Sequence, residues 1–551
     1  MTCDIAACAR HWADRLTRRP SVNGTADEAS FGPWFAEALR DSADFGPDAQ
    51  VWTIPVSPGD GRHCVALFIR GSGRRTVLLT GHYDTVTTED YADLQDAAIR
   101  PDDLLQALRE TLSTRAETPA ERLARQDFAG DDYLPGRGLL DMKAGLAAGL
   151  AAMRDFAMAA DRSGNILFIA VPDEENASAG ARRAAREIAA IAGRLEIDIA
   201  AAINLDAIAD DGDGSAGRTI ALGTVGKVLP TAFVVGVPTH AGFPLNGINA
   251  AALAAAIAAR LEWATELTDC TAAQPGTPPS LLSLRDGKAG YDVTTPATAF
   301  ATWNVLIHKR SPQQVLDSFD ELCAEATAQF RDDLLRRARA SAHSGVPLPE
   351  PAAIRLYRYE DVLAEAERQS PGLSRALSDF SAELAQSRLA LPEQCHRLTE
   401  RVWRESRYAG PAIVTGFGSV PYLPTGLSGS ADARALEAAA RAAAQASEGR
   451  YGSRIGCSDY FAGISDMSFF GEADEAALEI VARNTPVWGT GIAWPEGPAL
   501  GNIPIVNAGP WGRDYHTPLE RLHVGYAFDV LPRLLSDLVG DVLNRDMPAP
   551  G

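Results

Sequence analysis

Cysteine is scarce in this sequence and never paired. Seven cysteines (3, 8, 64, 270, 323, 395 and 457) are scattered over 551 residues, odd in number and without a C-x-x-C. That excludes a disulfide framework and fits reduced thiols in a cytoplasmic protein. Long apolar runs are missing as well. Nothing approaches about 18 consecutive apolar residues, and MTCDIAACARHWADRLTRRP has no apolar stretch of signal-peptide length. Neither a membrane span nor a secretory leader is expected, and the chain reads as cytoplasmic. An excess of positive charge is also lacking. Lys+Arg number 51 against 72 Asp+Glu, a net charge of −21 that argues against nucleic acid or an anionic membrane as partner. There is no internal repeat, and no low-complexity segment beyond Ala-rich helices. GTVGKV (223–228) lacks the spacing of a phosphate loop, and GLSGS (426–430) is not G-x-S-x-G, so neither nucleotide binding nor a serine nucleophile has support.

The residues that are present describe a globular protein, with 46% apolar and 22% charged side chains. The length exceeds one ordinary core, so at least two domains are expected. Residues 3–19 and 29–41 read as helices, and 50–56, 63–70 and 75–80 as strands. The acidic stretch 87–136, with helical character at 101–126, reads as an insertion over the surface. NILFIAVP (165–172) and IDIAAAINL (197–205) are near-continuous apolar strands, of the kind buried on both faces. Alternation of strands and helices gives an α/β class with a doubly wound, mostly parallel sheet. Residues 217–358 read β, α, β, α, β and are expected as a small inserted α+β (βαββαβ) domain. The helix 378–405, PAIVTG (411–416) and the Ala-rich helix 432–447 are expected to resume the larger core. A last strand (502–507) and a closing helix (525–544) follow. The expected boundaries are thus 1–216, 217–358 and 359–551.

Polar residues gather where these strands end. RTVLLTGHYDTV (75–86) opens as a β-type run, breaks at Gly81 and presents His82 and Asp84 on the same side of an extended chain. Asp141 heads a small-residue helix suited to close packing on a sheet. Glu174 and Glu175 follow one buried strand, Asp206 another, and His516 lies just past 502–507. In open α/β sheets ligands bind beyond the carboxyl ends of the strands. Imidazoles and carboxylates without thiolate suit zinc, cobalt or manganese. Five ligands exceed what one catalytic zinc needs and fit two metals roughly 3.5–4 Å apart that share a carboxylate and a water. The remaining carboxylate of the Glu-Glu pair can then take a proton from that water and return it to a leaving nitrogen.

GHYDTV, GRGLLDMKAG, PDEEN, NLDA, THAGFP and YHTPLERL, in this order from 81 to 522, resemble the di-zinc exopeptidase family of aminoacylase, carboxypeptidase G and succinyl-diaminopimelate desuccinylase. The resemblance implies that His82 and Asp206 hold one zinc, that Glu175 and His516 hold the other, and that Asp141 bridges them. It implies that Asp84 orients His82 and that Glu174 is the general base. It also implies that the inserted domain is a dimerisation lid whose His240 reaches a partner subunit's site to stabilise an oxyanion. Asn249 and Arg310 match substrate-contacting positions more loosely. Length, DMKAGLA, VPDEEN, GTVGKVLP, HKRS, GISDMSFFG and GRDYHTPLERL are most similar to the arginine-utilisation (RocB-type) branch. The expected activity is hydrolysis of amide bonds in N-acyl amino acids or short peptides by a homodimer. Hydrolysis of a carbamoyl or guanidino compound linked to arginine breakdown is an alternative, and so is a non-catalytic binding protein with the same fold.

Overall fold

A computed structural model describes residues 4–114, 116–270, 276–341, 352–387, 389–461, 463–492, 494 and 501–544. The chain folds into two units, one of Met1–Thr224, Thr425–Ala473 and Gly497–Gly551, the other of Val225–Pro424 and Asp474–Glu496.

The first unit is built on an eight-stranded sheet. Its order is Gln50–Pro55, His63–Ile69, Ser163–Val171, Ser72–His82, Asp198–Asn204, Ile505–Asn507, Thr219–Ala221, Gly456–Ser458. The four central strands, from Ser163–Val171 to Ile505–Asn507, run parallel, and the first two pair antiparallel with their neighbours. Val77, Leu78 and Leu79 are all fully buried, as a strand covered on both faces requires. Helices Ile5–Thr17, Ala144–Met158 and Leu531–Asn544 share one core with Val77 and Leu79, while Ala179–Leu195 packs on His63–Ile69 and Ser163–Val171. Close approach of Ala144–Met158 to the sheet depends on its small residues. A Cβ at Gly145 would lie 2.0 Å from the carbonyl oxygen of Leu205, the residue before Asp206. A smaller sheet, Tyr133–Pro135, Arg521–His523, Trp511–Arg513, Ile208–Ala209, completes this unit.

The segment 87–136 is more than a surface insertion. Tyr91, Leu104, Leu108, Leu112, Ala124 and Phe128 are buried in the main core. The reason is helical periodicity: Leu104, Leu108 and Leu112 form one stripe along Pro101–Thr114, which the acidic composition of the segment obscures.

The second unit holds a six-stranded sheet ordered Ser280–Asp286, Thr298–Ile307, Pro230–Val235, Ala412–Phe417, Arg355–Arg358, with Gly226–Val228 also paired to Thr298–Ile307. Helices Ala250–Leu261 and Pro312–Ser341 cover one face. Tyr359–Gln369 and Leu391–Ser406 cover the other. The expected boundary at 358 therefore falls inside this unit, and 359–424 does not return to the larger core. PAIVTG is apolar on both faces and so reads as a central strand, but its composition does not say of which sheet. The strand it forms, Ala412–Phe417, pairs antiparallel with Pro230–Val235 along six residues and parallel with Arg355–Arg358. Residues 342–351 of the expected insert lie outside the described residues.

Gly145→Ala is expected to lower the unfolding free energy by about 1–3 kcal/mol through overpacking. The effect would be read as a lower denaturant midpoint at an unchanged slope.

Candidate metal centre

Three parallel strands deliver their ends to one place. His82 is the last residue of Ser72–His82, in register with Val171. Glu174 and Glu175 follow Ser163–Val171, and Asp206 follows Asp198–Asn204. Asp141 lies in the turn before Ala144–Met158, and His516 in the loop between Trp511–Arg513 and Arg521–His523. The Asp141 carboxylate stands between two imidazoles: Oδ1 is 3.1 Å from His82 Nε2, and Oδ2 is 3.1 Å from His516 Nε2. His82 Nε2 is also 3.8 Å from Asp206 Oδ1, and His516 Nε2 is 3.2 Å from Glu175 Oε1. Three donor groups result, each with its atoms within 4.8 Å of one another: His82, Asp141 and Asp206; His82, Glu174 and Glu175; Asp141, Glu175 and His516.

The supporting contacts differ in one respect from expectation. His82 Nδ1 faces the Asp84 carbonyl oxygen at 3.1 Å, whereas the Asp84 carboxylate is 3.7 Å away. A carbonyl only accepts, so Nδ1 carries a proton and Nε2 is the nitrogen that meets the carboxylates. The Asp84 carboxylate has another task. It accepts from the backbone N–H groups of Glu174 and Glu175, each at 3.1 Å, and from Asn23 Nδ2 at 3.0 Å. It thereby fixes the turn that presents both glutamates. Asn507 does the same for Asp206, accepting from its N–H at 3.1 Å and donating to its carbonyl at 2.9 Å. Asn23 and Asn507 were not visible as functional in the sequence. An amide at the end of a buried apolar strand, as in NIPIVN, is the available signal for Asn507.

Electrostatically the site is a surplus of buried negative charge. Burial, aggravated by neighbouring carboxylates, raises Glu174, Glu175 and Asp206 above the usual carboxylate range. Asp141 goes the other way: burial would raise it, but hydrogen bonds from His516 and His82 hold it low. Burial pulls both histidines down, yet the carboxylates they touch keep His82 well above its ordinary value and His516 at about 10. A set that retains protons against burial is one that a cation can occupy in their place. The donor chemistry, imidazole with carboxylate, fits a divalent ion of the zinc type. Asp466 is buried close by, and burial pushes it up to about 7.

His240, Asn249 and Arg310 belong to the second unit. His240 is exposed, and its Nδ1 accepts from Gly242 N–H at 3.0 Å, which leaves the proton on Nε2. Asn249 caps Ala250–Leu261, its Oδ1 accepting from Ala251 and Ala252 N–H at 3.0 and 3.3 Å. The Arg310 guanidinium donates to the Glu266 carbonyl and to Ser318 Oγ. Both of these side chains thus have structural partners of their own.

Residues 114–489 match the model of peptidase family M20/M25/M40. The chain belongs to that family. Among its relatives, this M20 protein is 28% identical over 539 residues to the uncharacterized protein YqjN of Bacillus subtilis strain 168, covering 97% of this chain and 96% of that one. It is also 28% identical over 551 residues to protein RocB of the same organism, covering 96% and 94%. Among solved structures it shares its fold with a tripeptidase of Staphylococcus aureus (TM-score 0.54, 16% identity, 98% and 99% of the two chains). The aminopeptidase PepT of Bacillus cereus is similar to it as well (TM-score 0.52, 14% identity, 98% of both chains). Family membership makes the M20 protein a metallopeptidase by descent. Among the described residues no helix is long and apolar enough to cross a membrane.

A histidine whose pKa is higher in the fold than in the unfolded chain stabilises fully below about 6.5. That contribution fades as the pH climbs through about 10, the value of His516. The metal-free protein is therefore expected to melt at progressively lower temperature between about pH 7 and about pH 10, and His516→Ala to flatten the slope. A wild-type melting temperature independent of pH over that range would contradict the arrangement.

Proposed function

We propose that this protein is a metal-dependent hydrolase that cleaves amide bonds of small substrates, N-acyl amino acids or short peptides, with two zinc ions as its cofactor (cobalt or manganese are the substitutes its donors admit). The observation that carries the reading is the Asp141 carboxylate, whose two oxygens each lie 3.1 Å from a different imidazole. His82 and Asp206 would hold one ion, Glu175 and His516 the other, with Asp141 common to both. Bound there, the pair supplies Lewis acidity toward an amide carbonyl and toward water.

The chain's own residues do the rest. Glu174 remains after the ligands are assigned, and its burial gives it a pKa well above an ordinary carboxylate. It accepts a proton from the attacking water as the new C–O bond forms, and returns it to the nitrogen as the C–N bond breaks. The Asp84 carboxylate keeps Glu174 and Glu175 in place through their backbone N–H groups. His240 presents a free Nε2–H, and we assign it the role of steadying the tetrahedral oxyanion in a partner subunit of a homodimer formed through the second unit.

Glu174→Gln keeps the size of the side chain and removes the base. Zinc content should be unchanged while kcat falls by about 10²–10⁴-fold. Mass spectrometry of a panel of N-acyl amino acids, dipeptides and carbamoyl or guanidino compounds measures this. Wild-type turnover in the variant would refute the role given to Glu174, and products confined to the carbamoyl and guanidino compounds would refute the substrate class.

A further inference from the structure

The segment 87–136 reaches the loop that carries His516 by two routes. The first runs through Asp127, the last residue of Pro119–Asp127. Its carboxylate accepts from Arg513 Nη1 at 2.9 and 2.7 Å, and from Arg521 Nε at 2.7 Å. Arg513 and Arg521 are a directly opposed pair on two antiparallel strands, one at each end of the 514–520 loop. Both are buried, Arg521 completely. Like charges opposite one another on a sheet repel, and burial sharpens that repulsion, so the pair needs an anion between its members. Asp127 is that anion. Arg521 Nη1 also donates to Asp514 Oδ2 at 2.5 Å, inside the loop.

The second route runs through Arg137. Fully buried Glu520, in the same loop, accepts from Gly138 N–H at 2.9 Å and from Arg137 Nη1 at 2.8 Å. Arg137 is held in turn by Asp90 Oδ2 at 2.6 Å and by the Thr87 carbonyl at 3.0 Å. This ties the His516 loop to the turn that contains Asp141. Within the loop Asp514 (φ 52°) and His516 (φ 62°) are left-handed without being glycine. Such conformations persist where the surroundings over-determine them.

We infer that 87–136 is a brace for His516, and that Asp127 is a positioning residue: by joining Arg513 to Arg521 it closes the base of the loop and sets the imidazole against Asp141 and Glu175. The inference rests on the proposed reading of His516 as a metal ligand.

Zinc titration of the metal-stripped full-length protein by calorimetry, with zinc counted by mass spectrometry after dialysis, tests it. His516→Ala should abolish one of two zinc sites. Asp127→Asn should weaken that same site by about 10–100-fold, the usual cost of losing an outer hydrogen-bond partner, and leave the other site unchanged. Asp102→Asn, at an exposed acid of the same segment, should bind zinc as wild type does. If His516→Ala abolishes a site while Asp127→Asn binds both ions normally, or weakens both alike, the brace is refuted and the ligand reading survives. If His516→Ala itself leaves zinc uptake intact, the ligand reading fails and the brace with it. Should Asp127→Asn not fold, Asp90→Asn replaces it, with the same site-selective loss expected and unchanged binding overturning the inference.

Discussion

The carboxylate of Asp141, held between two imidazoles, is the interaction on which this molecule is arranged. Four acidic side chains brought out of water in one place is an arrangement that folding opposes. Each has to be held by something stronger than its neighbours' repulsion. The protein does this with backbone. Two consecutive N–H groups hold the Asp84 carboxylate, and the Asn507 amide grips the main chain of Asp206 on both sides. The charges themselves are then left facing one another, which is the condition a divalent cation relieves.

Rigidity reaches these residues from the sheet. The three strands that end at the site are buried over the stretch that leads to it, and the helix that follows Asp141 lies so close to the sheet that no side chain fits at Gly145. Placing side chains at the last residue of such strands or two to four residues beyond them allows little freedom for the side chains to drift apart. His516 is the exception. It sits on a loop of the smaller sheet, and ion pairs reinforce the short strands at the base of that loop.

Much of this was legible in the sequence for a simple reason. Buried parallel strands are apolar from end to end, so the polar residue that terminates each one stands out, and His82, Glu174, Glu175 and Asp206 all do so. Asp141 was legible through the small-residue helix behind it. What escaped were relationships between parts of the chain far apart in sequence. Nothing in NIPIVN indicates that its final asparagine meets a residue some three hundred positions earlier. Nothing in PAIVTG says which sheet it enters, so the extent of the second unit was misjudged. The spacing of His82 and Asp84 suggested a carboxylate behind an imidazole, but the local turn puts the carbonyl there. Asn249 and Arg310 were singled out by resemblance to substrate-contacting positions; in the fold Asn249 Oδ1 accepts at a helix start, and the Arg310 guanidinium donates to a carbonyl and a hydroxyl.

The strand Ile505–Asn507 lies inside the larger sheet, beside Asp198–Asn204 and against Thr219–Ala221. On the ribosome, then, that sheet must wait with a gap in it until residues 505–507, some three hundred positions after the neighbouring strand, have been made. His516 emerges only a few residues after the piece that fills it. A chain interrupted before residue 505 therefore lacks both an inner strand of the sheet and the His516 imidazole, so the donor groups around Asp141 come together only after both have been made.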